Sequence, residues 1–188
     1  MPMVLQPLVD ALRRYLHLVI GPEDEWNLIV AERPSLGEAV LPFTVIGLAV
    51  SLVFSLAGAL LVAGENSVAL AVASRLVVDG ATVASFAAAS GFMARRVGAV
   101  RPAMGEVAAL YSSAGLWMSS VLAFVPVPVL GFLWFLMGAV YTGYLYYHAL
   151  DAAVGVPAHV RIKAFAASMA VLVLVSSVLR AVEFVLVG

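Results

Sequence analysis

Five long apolar blocks, at residues 41–63, 68–94, 103–124, 127–150 and 164–187, constrain this chain more than any other feature. Each is longer than the roughly 18 residues needed to cross ~30 Å of hydrocarbon at ~1.5 Å per residue. In lipid a backbone must close its own hydrogen bonds, and the period-two alternation of a barrel strand is absent, so each block reads as a helix. The expected fold is all-α, a polytopic membrane protein. Residues 40–188 form a five-transmembrane-helix bundle, and residues 1–39 form a cytoplasmic or interfacial segment ahead of it. Composition agrees, since 64% hydrophobic and 11% charged residues leave more apolar surface than a soluble domain hides.

The few charges set the orientation. Arg13, Arg14, Arg33, Arg95, Arg96, Arg101, Arg161 and Lys163 all lie in the N-terminal segment or in the second and fourth connections. The first and third connections carry no basic residue. Positive residues near span ends stay cytoplasmic, so the N-terminus is expected inside and the C-terminus outside, the membrane being the cell membrane if the chain is prokaryotic. A formal net charge of -1 gives no basis for a nucleic-acid partner. The absence of cysteine excludes disulfides, iron–sulfur ligation and thiolate catalysis. Pro7, Asp10, Arg13, Arg14 and His17 interrupt the first twenty residues, which therefore lack the apolar core of a cleavable signal peptide.

Ahead of the first block, Leu8, Leu12, Tyr15, Leu16 and Val19 recur at helical spacing, with Asp10, Arg13, Arg14 and His17 on the other face. This pattern predicts an amphipathic helix lying in the headgroup layer, the alternative being a short soluble helix packed under the bundle. Pro22-Glu23-Asp24-Glu25-Trp26 suits the first turn of a second short helix, with Trp26 as an interface anchor. Ser35 and Glu38 have the spacing of a capping box. Contact with the inner leaflet or with a protein partner at the cytoplasmic face is expected from Arg13, Arg14, His17, Trp26, Arg95, Arg96 and Arg101.

Arg75 and Asp79 in the second block, with Arg180 and Glu183 in the fifth, are the most informative polar residues. An unpaired charge near the bilayer centre costs about 2.5–3.5 kcal/mol on insertion scales, so pairing is expected. Spacings of four and three let each pair meet along its own helix. Together they predict a neutral cluster between the second and fifth spans, with Ser176, Ser177 and Thr82 as supporting hydrogen-bonding groups. Two readings stand: a helix-locking ion-pair network, or a site for an ion, a proton or an anionic headgroup.

Small residues recur every four positions, at Gly47, Ser51 and Ser55, at Ala81, Ser85 and Ala89, and at Gly115 and Ser119. Such ridges let helices approach closely, within the chain or in a homo-oligomer. Tyr141, Tyr144, Tyr146, Tyr147 and His148 near the end of the fourth block read as an aromatic belt. His17, His148 and His159 lack ligand spacing, so no metal is expected. No nucleophile elbow or phosphate loop is present, which leaves no enzymatic chemistry and no cofactor to expect.

Pro22-Glu23-Asp24-Glu25-Trp26, Arg33-Pro34-Ser35 and Leu41-Pro42-Phe43 opening the first of five spans resemble the bacterial and archaeal branch of the Yip1 family. Ala149 to Ala164, with Gly155-Val156-Pro157 and Lys163-Ala164, is similar to that family's linker before its last span. The resemblance runs from Pro22 to the C-terminus and implies a five-span, non-enzymatic protein. Eukaryotic members are implicated in vesicle trafficking and bind Rab-type GTPases through cytoplasmic N-terminal regions. Here that region is short, and the eukaryotic Asp-Leu-Tyr-Gly-Pro signature is reduced to Gly21-Pro22. The resulting expectation is a scaffold or adapter in membrane organisation, surrounded by membrane lipids. The alternative is a small oligomeric transporter or channel whose polar path is the Arg75, Asp79, Arg180 and Glu183 cluster.

Overall fold

The computed structural model describes residues 2–62, 68–114, 116 and 128–187. Within them every regular element is an α-helix: α1 (Pro2–Ile20), α2 (Pro22–Glu32), α3 (Leu36–Val62), α4 (Val68–Arg96), α5 (Met104–Ser112), α6 (Pro128–Ala152) and α7 (Ala158–Val187). Three of these, through Leu36–Val53, Val72–Arg96 and Ala158–Glu183, are long and apolar enough to cross a bilayer. The chain is therefore a membrane-embedded helical protein. The C-terminal part of the third expected span, the Val125-Pro126-Val127 turn and the first connection lie outside the described residues, as do Gly115 and Ser119.

Local signals account for the helix ends. Pro22 opens α2, where its missing N–H removes no bond, and Glu23, Asp24 and Glu25 complement the positive end of the helix dipole. The Ser35 Oγ accepts the Glu38 N–H at 3.3 Å, and the Glu38 carboxylate accepts the Ser35 N–H at 2.8 Å. This reciprocal box starts α3 at Leu36, a turn earlier than the apolar pattern alone sets it. Similarly, α7 starts at Ala158 rather than Ala164, because the first turns of a spanning helix extend beyond the hydrocarbon and tolerate His159, Arg161 and Lys163.

α4 is the central helix and packs on α3, α5 and α7. Its contact with α5 is close: a Cβ on Gly105 would lie 2.9 Å from the Ser90 carbonyl and 2.8 Å from Ala94 Cβ. The tight small-residue seam thus runs through Ser90, Gly91 and Ala94 against Gly105. The expected ridge of Ala81, Ser85 and Ala89 is only half-buried, while Gly47 and Ser51 are buried and Ser55 has no described side chain.

Two connections are stitched together at one end of the bundle. The Val100 and Arg101 N–H groups donate to the Gly155 and Val154 carbonyls at 3.1 and 2.9 Å. Gly155 has φ +69°, and a Cβ there would stand 3.0 Å from Val100 Cβ, so both backbone conformation and space require glycine. The Arg101 guanidinium donates to the Ala152 and Ala153 carbonyls at 3.0 and 2.9 Å, closing the C-terminus of α6. Bonded loops share one side of a bilayer. Because α3, α4 and α7 run alternately up and down, the start of α3 and the end of α4 lie at this same end, which gathers the basic residues outside the spans.

Candidate functional site: the buried ion-pair network and the N-terminal hairpin

At membrane depth, α3, α4 and α7 meet around Asp79. Arg75 Nε lies 3.5 Å from Asp79 Oδ2 along α4, as the four-residue spacing predicts. The other contacts cross between helices. Arg180 Nη2 reaches Asp79 Oδ1 at 3.5 Å, and Arg75 Nη1 reaches Glu183 Oε2 at 3.7 Å. Cross-helix contacts thus join the Arg180 and Glu183 of α7 to the pair on α4. The reason is reach: antiparallel packing brings the α7 pair opposite the α4 pair, and each cation then finds a carboxylate on the facing helix. Charges sum to zero within the cluster.

Hydroxyls complete the shell. Ser51 Oγ of α3 donates to Asp79 Oδ2 at 2.8 Å, and Ser74 Oγ donates to Glu183 Oε1 at 3.1 Å. Asp79 is buried and Ser51 has no exposed surface. Among the expected helpers, Ser176 Oγ accepts from Arg180 Nε at 3.4 Å. Thr82 instead donates to its own helix, to the Val78 carbonyl at 2.7 Å, and Ser177 is exposed. The Thr82 hydroxyl reaches the carbonyl one turn back on its own helix more readily than a neighbouring helix, and Ser177 lies on a face of α7 turned away from the cluster. Ser51 was legible only as a small residue and Ser74 not at all, because nothing in sequence aligns α3 or α7 with the first turns of α4.

A second ionic set ties the N-terminal hairpin together. Arg14 Nε lies 3.1 Å from Glu25 Oε1 and its Nη2 lies 2.6 Å from Glu32 Oε1, while His17 Nδ1 is 3.7 Å from Glu25 Oε2. Glu25 is 4% exposed. Burial works against the Arg14 charge, yet hydrogen bonds to Glu32 and to Tyr111 outweigh it and hold the guanidinium above its ordinary value. Trp26 is fully buried, with its ring 6.1 Å from that of Tyr111 on α5. It is therefore a core residue joining α2 to the bundle and not the expected interface anchor. The Tyr141 hydroxyl donates to the Val19 carbonyl and fixes the end of α1 against α6.

The clamped hairpin leaves one stripe outward. Val9, Leu12, Leu16 and Ile20 are exposed along α1, whereas Leu18 on the opposite side is fully buried. Leu12 and Leu16 thus take the predicted apolar face, Val19 is half-buried, and the side chains of Leu8 and Tyr15 lie outside those described. Of the other residues expected at a surface, Arg13, His17, Arg95 and Arg96 are exposed. Arg95 lies 3.2 Å from Glu106, and Arg101 is occupied as a helix cap. Tyr146 leaves the expected belt: it is fully buried, donates to Ser168 Oγ at 3.0 Å and packs edge-on against Phe86 at 4.9 Å. Tyr144 and Tyr147 remain exposed.

Apolar helices of lipid length, joined by a neutral ion-pair network and topped by a docked amphipathic hairpin, define an integral-membrane helical bundle. No protein-family model, curated protein or solved structure matches the chain.

Proposed function

We propose that this protein is a non-enzymatic membrane scaffold or adapter with five crossings, its N-terminus cytoplasmic and its C-terminus outside, of the kind its Yip1-like motifs imply. The observation that carries this reading is the hairpin. Buried Trp26, Leu18 and Ile29, with Glu25 paired to Arg14, fix α1 and α2 to the bundle, while Val9, Leu12, Leu16 and Ile20 stay outward beside exposed Arg13. A rigidly held apolar stripe flanked by a cation suits an anionic leaflet surface. The gathering of basic residues at one end supports the orientation.

The intramembrane cluster fits the same reading, because each carboxylate already holds a cation and a hydroxyl donor. Such a network fixes helices and offers little to a passing ion. One observation favours a transport role instead: the Arg180 side chain is 31% exposed, so one edge of the cluster is open. Reconstituted vesicles carrying an internal pH dye and a potential-sensitive dye separate the two. The scaffold reading expects no protein-dependent flux, and electrogenic or proton movement abolished by Asp79→Asn would replace it with transport. A fluorophore on Leu16→Cys tests the hairpin directly: emission typical of an apolar environment is expected in phosphatidylglycerol vesicles, and aqueous emission there would remove the leaflet contact. Orientation and an odd number of crossings are tested with an impermeant maleimide on Ser35→Cys and Val185→Cys, which the proposal places in opposite compartments.

A further inference from the structure

Around Glu25 the docked hairpin is short of positive charge. Glu25 and Glu32 of α2 share the guanidinium of Arg14, at 3.1 and 2.6 Å, so two carboxylates face one cation there. Glu25 is the inner of the two at 4% exposed, and water does little to solvate it. A further cation beside it is therefore stabilising, and the side chain in place to provide one is His17. Arg14 Nε approaches Glu25 Oε1, while His17 Nδ1 stands 3.7 Å from Oε2. Neutral imidazole carries a proton on one ring nitrogen and imidazolium carries one on each, so protonation guarantees a donor at Nδ1. The His17 side chain is 60% exposed and can take that proton from solvent. It also lies in the last turn of α1, where its carbonyl accepts the Gly21 N–H at 2.8 Å and where positive charge meets the negative end of the helix dipole.

The other ionisable groups on the elements around α1 have different places. On α1 itself Arg13 and Asp10 are exposed, and on α2 Glu23 and Asp24 are exposed acids of the first turn. In the sequence of α3 the ionisable residue is Glu38, which closes the helix box with Ser35. From α5, Tyr111 lies beside Arg14, and from α6 the Tyr141 hydroxyl donates to the Val19 carbonyl. We infer that His17 makes the hairpin an acid-tightened latch: a proton on its ring supplies the second cation for Glu25 and holds α1 more firmly to α2, which buried Trp26 and Ile29 fix to the bundle. Histidine is the side chain that ordinarily changes charge between about pH 5 and 8. Because the docked hairpin gains from the charged ring, this hold is complete in acid and is lost as pH rises through that interval. Acid thus fixes α1 with Val9, Leu12, Leu16 and Ile20 outward, and alkaline conditions loosen it.

The latch depends on the docked hairpin alone, so its test can fail while crossing number, orientation and scaffold role stand. Backbone amide exchange of the full-length protein, held in phosphatidylcholine nanodiscs that present no anionic surface, reads how often α1 opens. Rates at about pH 5.5 and about pH 8 are each divided by the intrinsic exchange rate at that pH, and ordinary carboxyls are ionised at both. Protection of α1 should be about threefold greater at the lower pH, the size of effect that a largely exposed ion pair carries. His17→Gln, made at an exposed position and so compatible with folding, should abolish the difference. His17→Lys, charged at both pH values, should keep α1 at the acid level of protection throughout. Equal protection of the wild type at the two pH values would overturn the latch. So would a difference that persists in His17→Gln, or a His17→Lys protein that still loosens at the higher pH.

Discussion

The two ionic sets solve the same problem in different solvents. In the bundle, Arg75, Asp79, Arg180 and Glu183 are joined across α4 and α7, with Ser51 of α3 closing the shell around Asp79. In the hairpin, Arg14 alone bridges Glu25 and Glu32, with His17 at the margin. The first set is neutral by composition and has no water to fall back on. The second sits beside exposed groups, His17 with a side chain 60% exposed and Glu32 with one 50% exposed, so water shares in its solvation. The comparison teaches that the bundle set should be the more costly to break, although both hold helices together.

The sharpest way to break that comparison is Asp79→Asn, which leaves Arg75 and Arg180 sharing one remaining carboxylate in a buried site. A loss of about 3–5 kcal/mol is expected, read as unfolding in mixed detergent micelles, because removing one partner strands buried charge. Glu25→Gln should be smaller, about 2–3 kcal/mol, the worth of a charge-assisted hydrogen bond to a buried acceptor. It should also release α1, seen as faster proteolysis near Ile20. A result in which Glu25→Gln costs more than Asp79→Asn would invert the ranking of the two sets.

Smaller effects sharpen the picture. Gly105→Ala, in the seam between α4 and α5, should cost about 2 kcal/mol through overpacking against the Ser90 carbonyl and Ala94, without altering either ionic set. Ser51→Ala removes a neutral donor from Asp79 and should cost about 1 kcal/mol in the same unfolding measurement. Arg14 adds a pH expectation. Its folded value lies above the ordinary one, so, while its carboxylate partners stay ionised, its contribution is complete below the ordinary value and fades only as pH rises through the raised one. The hairpin should therefore show no Arg14-linked loss between pH 7 and about 10, measured by Trp26 fluorescence.

The bundle set was legible in sequence and the hairpin set was not, for a physical reason. Charges inside lipid-length apolar blocks stand out because hydrocarbon leaves them no innocent explanation. Arg14, Glu25 and Glu32 lie in polar surroundings where solvation is the ordinary expectation, and only the fold of α1 against α2 brings them together. The same limit applies to Trp26 and Tyr146, amphipathic residues near span ends that suit either an interface or a core until their neighbours Tyr111 and Phe86 are placed. Helix capping at Ser35 and Glu38, and the opening of α2 at Pro22, were readable because those signals act within one turn. Crossed pairing between α4 and α7 was not, because it depends on the relative depth of two helices a hundred residues apart.

A double-mutant cycle on Asp79→Asn and Arg180→Gln measures most directly whether the buried cluster locks helices to one another. If it does, the two substitutions should couple by about 1–3 kcal/mol, the double variant being more stable than the sum of the singles implies. Additive losses, with no coupling across the 3.5 Å contact, would contradict the account.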